Sequence, residues 1–276
     1  MANLNDHFPV RTVPAGPFHR HVIGRGGRHP VSTRFMKVFR KSLLAMVLGT
    51  IFTTGLAAPA AAAESLTVVE LFTSQGCSSC PPADAMLGEL AQRDDVLALS
   101  VHVDYWDYIG WKDPFARPEH GMRQREYAKR FDLRYVYTPQ MVVQGTYQLV
   151  GSHRNEVMEV LAKADRLPRV PVSLKQSKDR VSLRLPETAM HEEVRVLSVF
   201  FDHKHETSIE RGENSGRTLA YHNVVRDINP IAVWRGQEMN IDIPVEHAMA
   251  DACAIVLQSA LSGQIIGAAV VGLEKK

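Results

Sequence analysis

The sequence predicts an α/β domain followed by an all-β, sandwich-like domain, and three observations carry this prediction. Strand and helix patterns alternate from residue 66, a proline-flanked linker follows near residue 168, and short apolar runs with polar turns fill the remainder. We therefore expect domains at residues 64–167 and 168–276, each large enough to fold alone. The alternative is one continuous α+β domain.

The first 63 residues read as a leader. Residues 36–63 have the basic, apolar and small-residue order of a secretory signal peptide, and we expect cleavage after Ala63. The apolar part is about 16 residues long, which is short for a membrane span, so an uncleaved anchor is the weaker alternative. Residues 1–35 lack apolar periodicity, and we expect them to be disordered or to precede the true start at Met36. The protein is therefore expected in the periplasm or outside the cell.

The charge balance argues against two classes of partner. The leader holds eight of the 32 basic residues and one of the 30 acidic ones, so the rest of the chain has 24 basic and 29 acidic residues, a net charge of −5. A mildly acidic protein has no electrostatic reason to bind nucleic acid or an anionic membrane. We expect neither a nucleic-acid partner nor stable membrane insertion after signal cleavage.

The CxxC motif of Cys77 and Cys80 carries the main chemistry of the sequence. The apolar run at residues 68–72 predicts a strand before it, and residues 83–92 predict a helix after it. Cys77 is therefore expected at a helix N-terminus, where unpaired N–H groups and the helix dipole would lower the pKa of its thiol. With one other cysteine in the chain, we interpret the pair as reactive rather than stabilising.

A second strand at residues 96–103 completes a parallel βαβ unit and leads into an aromatic loop. Residues 104–115 hold five aromatic side chains without a clear period. Loops at this edge of a parallel sheet gather over ligand sites, so Trp106 and Trp111 are candidates for a substrate-facing wall. A buried cluster under the loop is the alternative. The next helix, residues 119–131, carries basic side chains that we expect to face solvent.

The dipeptide Thr138-Pro139 opens a third strand, which leads to a hairpin strand at residues 147–150 and a helix at residues 153–164. Proline suits a strand's first residue because it has no N–H for the ladder. The element order from residue 66 is therefore strand, helix, strand, helix, strand, strand, helix.

This order, with a CxxC at the first strand-to-helix turn and Thr138-Pro139 before the third strand, resembles the thioredoxin fold. The resemblance implies a cis peptide bond before Pro139, stacking of this proline on the CxxC, and pairing of the Thr138 backbone with a substrate peptide. Four segments also look like a family of secreted bacterial proteins, domain of unknown function 1223: residues 70–84, 102–113, 137–143 and 211–217. That resemblance implies a fold and a compartment but no substrate.

The sequence departs from ordinary thioredoxins around the motif. Gly76 stands where a tryptophan often precedes the CxxC, and Ser78-Ser79 replaces Gly-Pro. Asp104 is the candidate for a buried acid below the site, although it lies at a strand end. The serine hydroxyls are expected to stabilise a Cys77 thiolate, which favours an oxidase or isomerase over a reductase.

The second half predicts about eight short strands, which is typical of a β-sandwich. His203, His205 and His222 could approach one another on such strands, but a fourth metal ligand is not evident, and we expect surface histidines. Residues 212–217 predict a polar turn, with a cap over the redox site as the alternative. Cys253 lies in an apolar run and is expected to be a buried thiol, with a resolving partner of Cys77 as the alternative.

Three functions remain open for the CxxC. We predict an exported thiol–disulfide oxidoreductase without a cofactor or metal, in which Cys77 attacks and Cys80 resolves, acting on a protein or small thiol or disulfide. A copper-handling protein is the second reading, with His102 as a third donor. The third is a non-enzymatic binding protein whose disulfide only fixes a turn. The sequence does not identify the redox partner.

Overall fold

A computed structural model describes residues 66–245 and 249–274 of the chain. The predictions for residues 1–63 lie outside these residues. Among the described residues, no helix is both long enough and apolar enough to span a membrane.

The first half of the described chain confirms the predicted order of strands and helices. Its elements are β1 (Thr67–Thr73), α1 (Pro81–Leu90), β2 (Val96–His102), a 3-10 turn (Asp107–Ile109), α2 (Pro118–Arg130), β3 (Gln140–Val143), β4 (Tyr147–Val150) and α3 (Arg154–Ala164). β1 and β2 are parallel, as expected for a βαβ unit, whereas β3 is antiparallel to both β1 and β4.

Successive side chains of β1 pack into hydrophobic cores on opposite faces of the sheet. Val69 and Leu71 share one core with residues of α1 and α3, whereas Val68 and Phe72 share another with Tyr127 of α2. Because helices cover both faces, every residue of β1 is buried, and this is why the strand reads as a nearly continuous apolar run.

The second half contributes seven strands to the described residues, one fewer than predicted. They are β5 (Ser173–Ser177), β6 (Arg180–Leu185), β7 (Val194–Ser208), β8 (Thr218–Trp234), β9 (Met239–Pro244), β10 (Ala252–Ser259) and β11 (Ile265–Gly272). β5, β6 and β9 form a three-stranded sheet. The other four join the strands of the first half in one sheet of eight, in the order β11-β10-β7-β8-β2-β1-β3-β4.

The structure therefore does not divide at residue 168 into two domains, as the sequence suggested. The eight-stranded sheet crosses that boundary, and the described residues from 66 onward belong to one compact unit. Two β layers do face each other in the second half, where Leu183 of the small sheet shares a core with Trp234 and Ile255 of the large one. The alternating pattern predicted these two layers, but it contained no sign that β8 pairs with β2.

The contact between the halves of the large sheet is short. β2 and β8 are parallel and share one registered pair, Ser100 with Val224. Beside it, Asn223 has a φ of 47°, and its Nδ2 donates a hydrogen bond to the Ala98 carbonyl at 2.9 Å. A side-chain amide thus takes the place of a backbone donor at this junction.

Arg123 corrects the prediction of a fully solvent-exposed basic face on α2. Its guanidinium donates to both carboxylate oxygens of buried Glu70 at 2.5 and 3.0 Å, and the Tyr127 hydroxyl donates to the same carboxylate at 2.6 Å. Burial opposes the charge of Arg123, but Glu70 outweighs it and raises the pKa of the guanidinium. Arg125 and Lys129 are exposed, as expected. α2 is therefore fixed to β1 by a buried ion pair.

The three histidines of β7 and β8 do not converge on a metal site. His222 lies opposite Lys204 in the β7–β8 pairing and His205 lies opposite Tyr221, so His222 and His205 point to opposite faces of the ribbon. His205 instead pairs with Asp202 at 2.6 Å. Within the described residues, no group of three or more His, Cys, Asp or Glu side chains is arranged to hold a metal ion.

Candidate redox site

Cys77 and Cys80 form a disulfide in the loop that joins β1 to α1. Helix α1 begins at Pro81 with Cys80 at its N-cap, so Cys77 lies 3 residues before the helix N-terminus at which it was predicted. The Ser79 hydroxyl lies 3.4 Å from the Cys77 sulfur. Both cysteines are 0% exposed, which a sequence motif cannot reveal.

The Thr138-Pro139 dipeptide lies at the same edge of the sheet. Its peptide bond is cis, as the resemblance implied. Gln140 pairs with Phe72 in the β1–β3 register, so the dipeptide precedes β3 where β1 runs out into the CxxC loop. The structure thus brings the second predicted segment to the level of the disulfide.

Two tryptophans of the aromatic loop fasten it to these segments. Trp106 Nε1 donates to the Thr138 hydroxyl at 2.8 Å, and Trp111 Nε1 donates to Gln75 Oε1 at 2.9 Å. Tyr108 is 81% exposed and its ring stacks over Trp106 with centroids 6.4 Å apart. The loop therefore has features of both the buried cluster and the substrate-facing wall considered from the sequence. The partly buried indoles of Trp106 and Trp111 anchor it, and the ring of Tyr108 faces solvent.

A buried ion pair supports the backbone just before the cysteines. His102 Nδ1 lies 2.7 Å from Asp113 Oδ2, with both side chains fully buried, and the same oxygen accepts the Gln75 N–H at 2.9 Å. Burial would lower the pKa of His102, but the charge and hydrogen bond of Asp113 raise it overall. Burial would raise the pKa of Asp113, but His102 and two backbone N–H groups lower it overall. The ionised pair therefore holds the loop in place.

Asp84 is a functional candidate that the sequence reasoning missed. It is 5% exposed and lies one helical turn after Cys80. Neither of its carboxylate oxygens has a hydrogen-bond partner among the described residues. Burial raises the pKa of Asp84 to about 7, although His102 and the Thr73 hydroxyl oppose the shift. Asp104, the acid that the sequence suggested, is only partly buried. The available signal was the four-residue spacing from Cys80, which puts both side chains on one helix face.

Asp84 belongs to a layer of buried polar side chains between α1 and the sheet. Thr73 and His102 are paired neighbours on β1 and β2, and the Tyr221 ring of β8 packs edge-on against His102 at 4.8 Å. Thr73 Oγ1, His102 Nε2 and the Tyr221 hydroxyl have no hydrogen-bond partner among the described residues. Beside Asp84, the layer thus offers further atoms that can give or accept a proton.

The loop between β7 and β8, residues 209–217, is hydrogen-bonded to the backbone around Cys77, and we call it the strap. Asn214 is buried, and its Nδ2 donates to the backbone carbonyls of Gln75 and Cys77, both at 2.9 Å. The neighbouring Glu213 carboxylate accepts the Ser78 N–H at 3.1 Å. The polar turn predicted at residues 212–217 is therefore a turn that also contacts the CxxC loop, as the alternative of a cap required.

The model of a family described as "Protein of unknown function (DUF1223)" matches residues 68–258. This chain belongs to the DUF1223 family. The matched region of this DUF1223 protein contains both cysteines, the Thr138-Pro139 dipeptide and the whole strap, so every part of the site just described lies inside it. No functionally curated protein matches the chain.

Two solved structures are similar to this DUF1223 protein. The crystal structure of protein AGR_C_4864 from Agrobacterium tumefaciens is 32% identical with a TM-score of 0.68, and the match covers 77% of this chain and 97% of that one. HBP35 of Porphyromonas gingivalis is 15% identical with a TM-score of 0.55, and the match covers 77% of this chain and 76% of that one. The second likeness concerns the fold alone.

The third cysteine of the DUF1223 chain is separate from the site. Cys253 lies fully buried on β10, between β7 and β11, and is not disulfide-bonded. Burial raises the pKa of its thiol to about 12. The prediction of a buried thiol is confirmed, and Cys77 is paired with Cys80 rather than with this residue.

Proposed function

We propose that this protein is an exported thiol–disulfide oxidoreductase built on a thioredoxin-like arrangement of β1 to α3. The observation that carries the proposal is the Cys77–Cys80 disulfide followed, in the first turn of α1, by a buried carboxyl, Asp84, whose oxygens have no hydrogen-bond partner among the described residues. A disulfide that only fixed a turn would have no use for such a carboxyl, whose burial is costly. Perturbed carboxyls of this kind cluster at functional sites.

In the proposed reaction, a thiolate of the partner attacks Cys77. A bond forms between the two sulfurs, the Cys77–Cys80 bond breaks, and its electron pair leaves on the Cys80 sulfur. Asp84, with a pKa of about 7, gives that sulfur a proton and takes it back in the reverse direction. A second partner thiolate then releases Cys77, so that the disulfide is reduced to two thiols while two partner thiols are oxidised to a disulfide.

The direction expected from the sequence loses part of its support. Cys77 lies outside the first turn of α1, and Ser78 interacts with Glu213 through both its N–H and its hydroxyl. Of the expected stabilisers of a Cys77 thiolate, Ser79 remains in contact with the sulfur. The negative charge of the Glu213 carboxylate beside the motif also disfavours a negatively charged thiolate at Cys77. The pair is thus less oxidising than the serine dipeptide suggested.

We propose that substrate docks beside the cis dipeptide and the aromatic loop. Trp106 is hydrogen-bonded to the Thr138 hydroxyl, and Trp111 is hydrogen-bonded to the side chain of Gln75, which precedes the motif. Rigid aromatic side chains contribute large contact areas at a low entropic cost, and Tyr108 already presents its ring to solvent. Thr138, Pro139, Trp106 and Trp111 therefore form the proposed binding wall for a thiol or disulfide partner.

The compartment proposed is the periplasm or the extracellular space. A disulfide persists there, whereas cytosolic reductants would keep the two cysteines reduced. The oxidised pair in the structure agrees with this placement.

The test is a turnover assay on wild type and on Cys77→Ser. Wild type is expected to catalyse insulin reduction or the oxidative refolding of reduced RNase, and the variant to lose this activity while its circular dichroism spectrum is unchanged. The reduction potential of the pair is measured against glutathione in parallel. Inactivity of the wild type together with a potential below about −300 mV would identify a structural disulfide instead.

One observation favours the competing function of a non-enzymatic binding protein. Neither cysteine is exposed to solvent, as is usual for structural disulfides. In that case, ligand binding by the aromatic loop would be unchanged in Cys77→Ser, and no turnover would be seen in either protein.

A further inference from the structure

The buried disulfide cannot be reached by an attacking thiolate, although thiol–disulfide exchange requires this access. An attacking sulfur must approach a disulfide sulfur in line with the S–S bond, yet both cysteines have no exposed surface. The strap is the element whose side chains bond to the backbone around Cys77. Exchange at this site therefore needs a movement that uncovers Cys77.

The strap is constructed as a short loop closed at its base. The Ile209 N–H donates to the Arg217 carbonyl and the Gly216 N–H donates to the Ile209 carbonyl, both at 2.8 Å. Gly212 and Gly216 have φ values of 78° and 81° and flank the two residues that contact the motif. Because glycine occupies this region of φ without strain, the chain can turn down onto the disulfide and away from it again.

Asn214 makes the closing contacts. Its Nδ2 spans the Gln75 and Cys77 carbonyls, and its Oδ1 accepts a hydrogen bond from Arg217 at 3.0 Å, which fixes the orientation of the amide. Glu213 adds its contact to Ser78. An amide donor and a carboxylate acceptor thus occupy two backbone carbonyls and one backbone N–H beside Cys77, which are the groups that an extended peptide pairs with.

We propose that the strap is a lid, that Asn214 is its latch, and that an extended peptide carrying the reactive cysteine of a partner protein takes the strap's place. This inference rests on the proposed function and names its substrate class. The partner's N–H and C=O groups replace the amide of Asn214 and the carboxylate of Glu213. A cysteine without residues on either side is too short to pair with all of these groups, and it reacts only when the lid opens by itself.

The first experiment measures lid opening by the rate at which excess dithiothreitol reduces the disulfide. Each dithiothreitol molecule becomes a cyclic disulfide, and the protein pair becomes two thiols, which are counted by maleimide labelling. Asn214→Ala loses the two hydrogen bonds that join the strap to the Gln75 and Cys77 carbonyls, and it is expected to react about ten to thirty times faster than wild type. Ser215→Ala is the matched control, because the Ser215 hydroxyl donates its hydrogen bond to the Glu210 carbonyl within the strap rather than to the CxxC loop. Asn214→Asp keeps the size of the side chain without the donor and is used if Asn214→Ala does not fold.

The second experiment compares two monothiols with the same cysteine. Wild type is expected to react faster with a blocked Gly-Gly-Cys-Gly-Gly peptide than with N-acetylcysteine amide. Asn214→Ala is expected to react faster with both monothiols and to show a smaller ratio between the two rates. Equal rates for wild type and Asn214→Ala with dithiothreitol would overturn the lid. Equal rates for the two monothiols with wild type would overturn the peptide assignment. Faster reduction of Asn214→Ala without turnover by either protein would instead leave the lid standing and refute the oxidoreductase.

Discussion

Replacing Asp84 by asparagine should stabilise the protein at alkaline pH. The wild-type carboxyl is buried in the polar layer beneath Cys80, and its pKa of about 7 compares with an ordinary value of 3.8. Between these values the unfolded chain has lost a proton that the native state keeps, so the stability of wild type falls as pH rises from about 4 to 7. Asparagine has nearly the same shape and no charge, and it removes this dependence.

The size of the effect follows from the shift. At 1.36 kcal/mol per pKa unit, a displacement from 3.8 to about 7 corresponds to roughly 4 kcal/mol of unfolding free energy above pH 7. Below pH 4 both states are protonated and the two proteins should be equally stable. Since water can penetrate to a buried carboxylate, this magnitude is an upper value.

Urea unfolding of oxidised protein at pH 4 and pH 8 provides the measurement. The gain in midpoint for Asp84→Asn should be present at pH 8 and absent at pH 4, with an unchanged m-value. Asp94→Asn is the control, because Asp94 is exposed in the turn between α1 and β2 and this substitution should alter neither midpoint. A variant that is no more stable than wild type at pH 8 would refute the view of Asp84 as a carboxyl kept neutral by burial.

Two further predictions test other parts of the structure. Arg123→Ala leaves the Glu70 carboxylate buried without its cation and should cost about 3–5 kcal/mol in denaturant unfolding, whereas Arg125→Ala on the exposed face should change stability by less than about 0.5 kcal/mol; similar losses would contradict the ion pair. Trp106→Phe removes the hydrogen bond to Thr138 and should raise KM for a peptide substrate severalfold with little change in kcat, so an unchanged KM would remove Trp106 from the binding wall.

The sequence was most informative where structure is determined by neighbouring residues. The apolar run of β1, the helical spacing after Cys80 and the proline before β3 are local patterns, and the structure has each of these elements at nearly the expected residues. The same reasoning failed where the decisive partner is distant in the chain. Arg123 read as a solvent-exposed charge because Glu70 lies 53 residues away.

The two-domain prediction failed for a related reason. Alternation along β7 and β8 indicates two β layers. The junction between β2 and β8, however, involves Asn223, whose left-handed backbone and side-chain hydrogen bond to Ala98 leave no periodic signal in the sequence. Asp84 was overlooked because an acidic residue in the first turn of a helix normally needs no explanation beyond the helix dipole. Its burial became visible only once α1 was packed on the sheet.

The strap is separated from the cysteines it covers by the order of synthesis. A chain made from its N-terminus presents Cys77 more than a hundred residues before Asn214, and N-terminal segments fold first as the chain emerges. The disulfide can therefore be formed by an outside oxidant after export and before the strap has folded onto the CxxC loop. Folding of the last third of the protein then encloses a bond that was made in the open, so maturation itself changes which molecules can reach it.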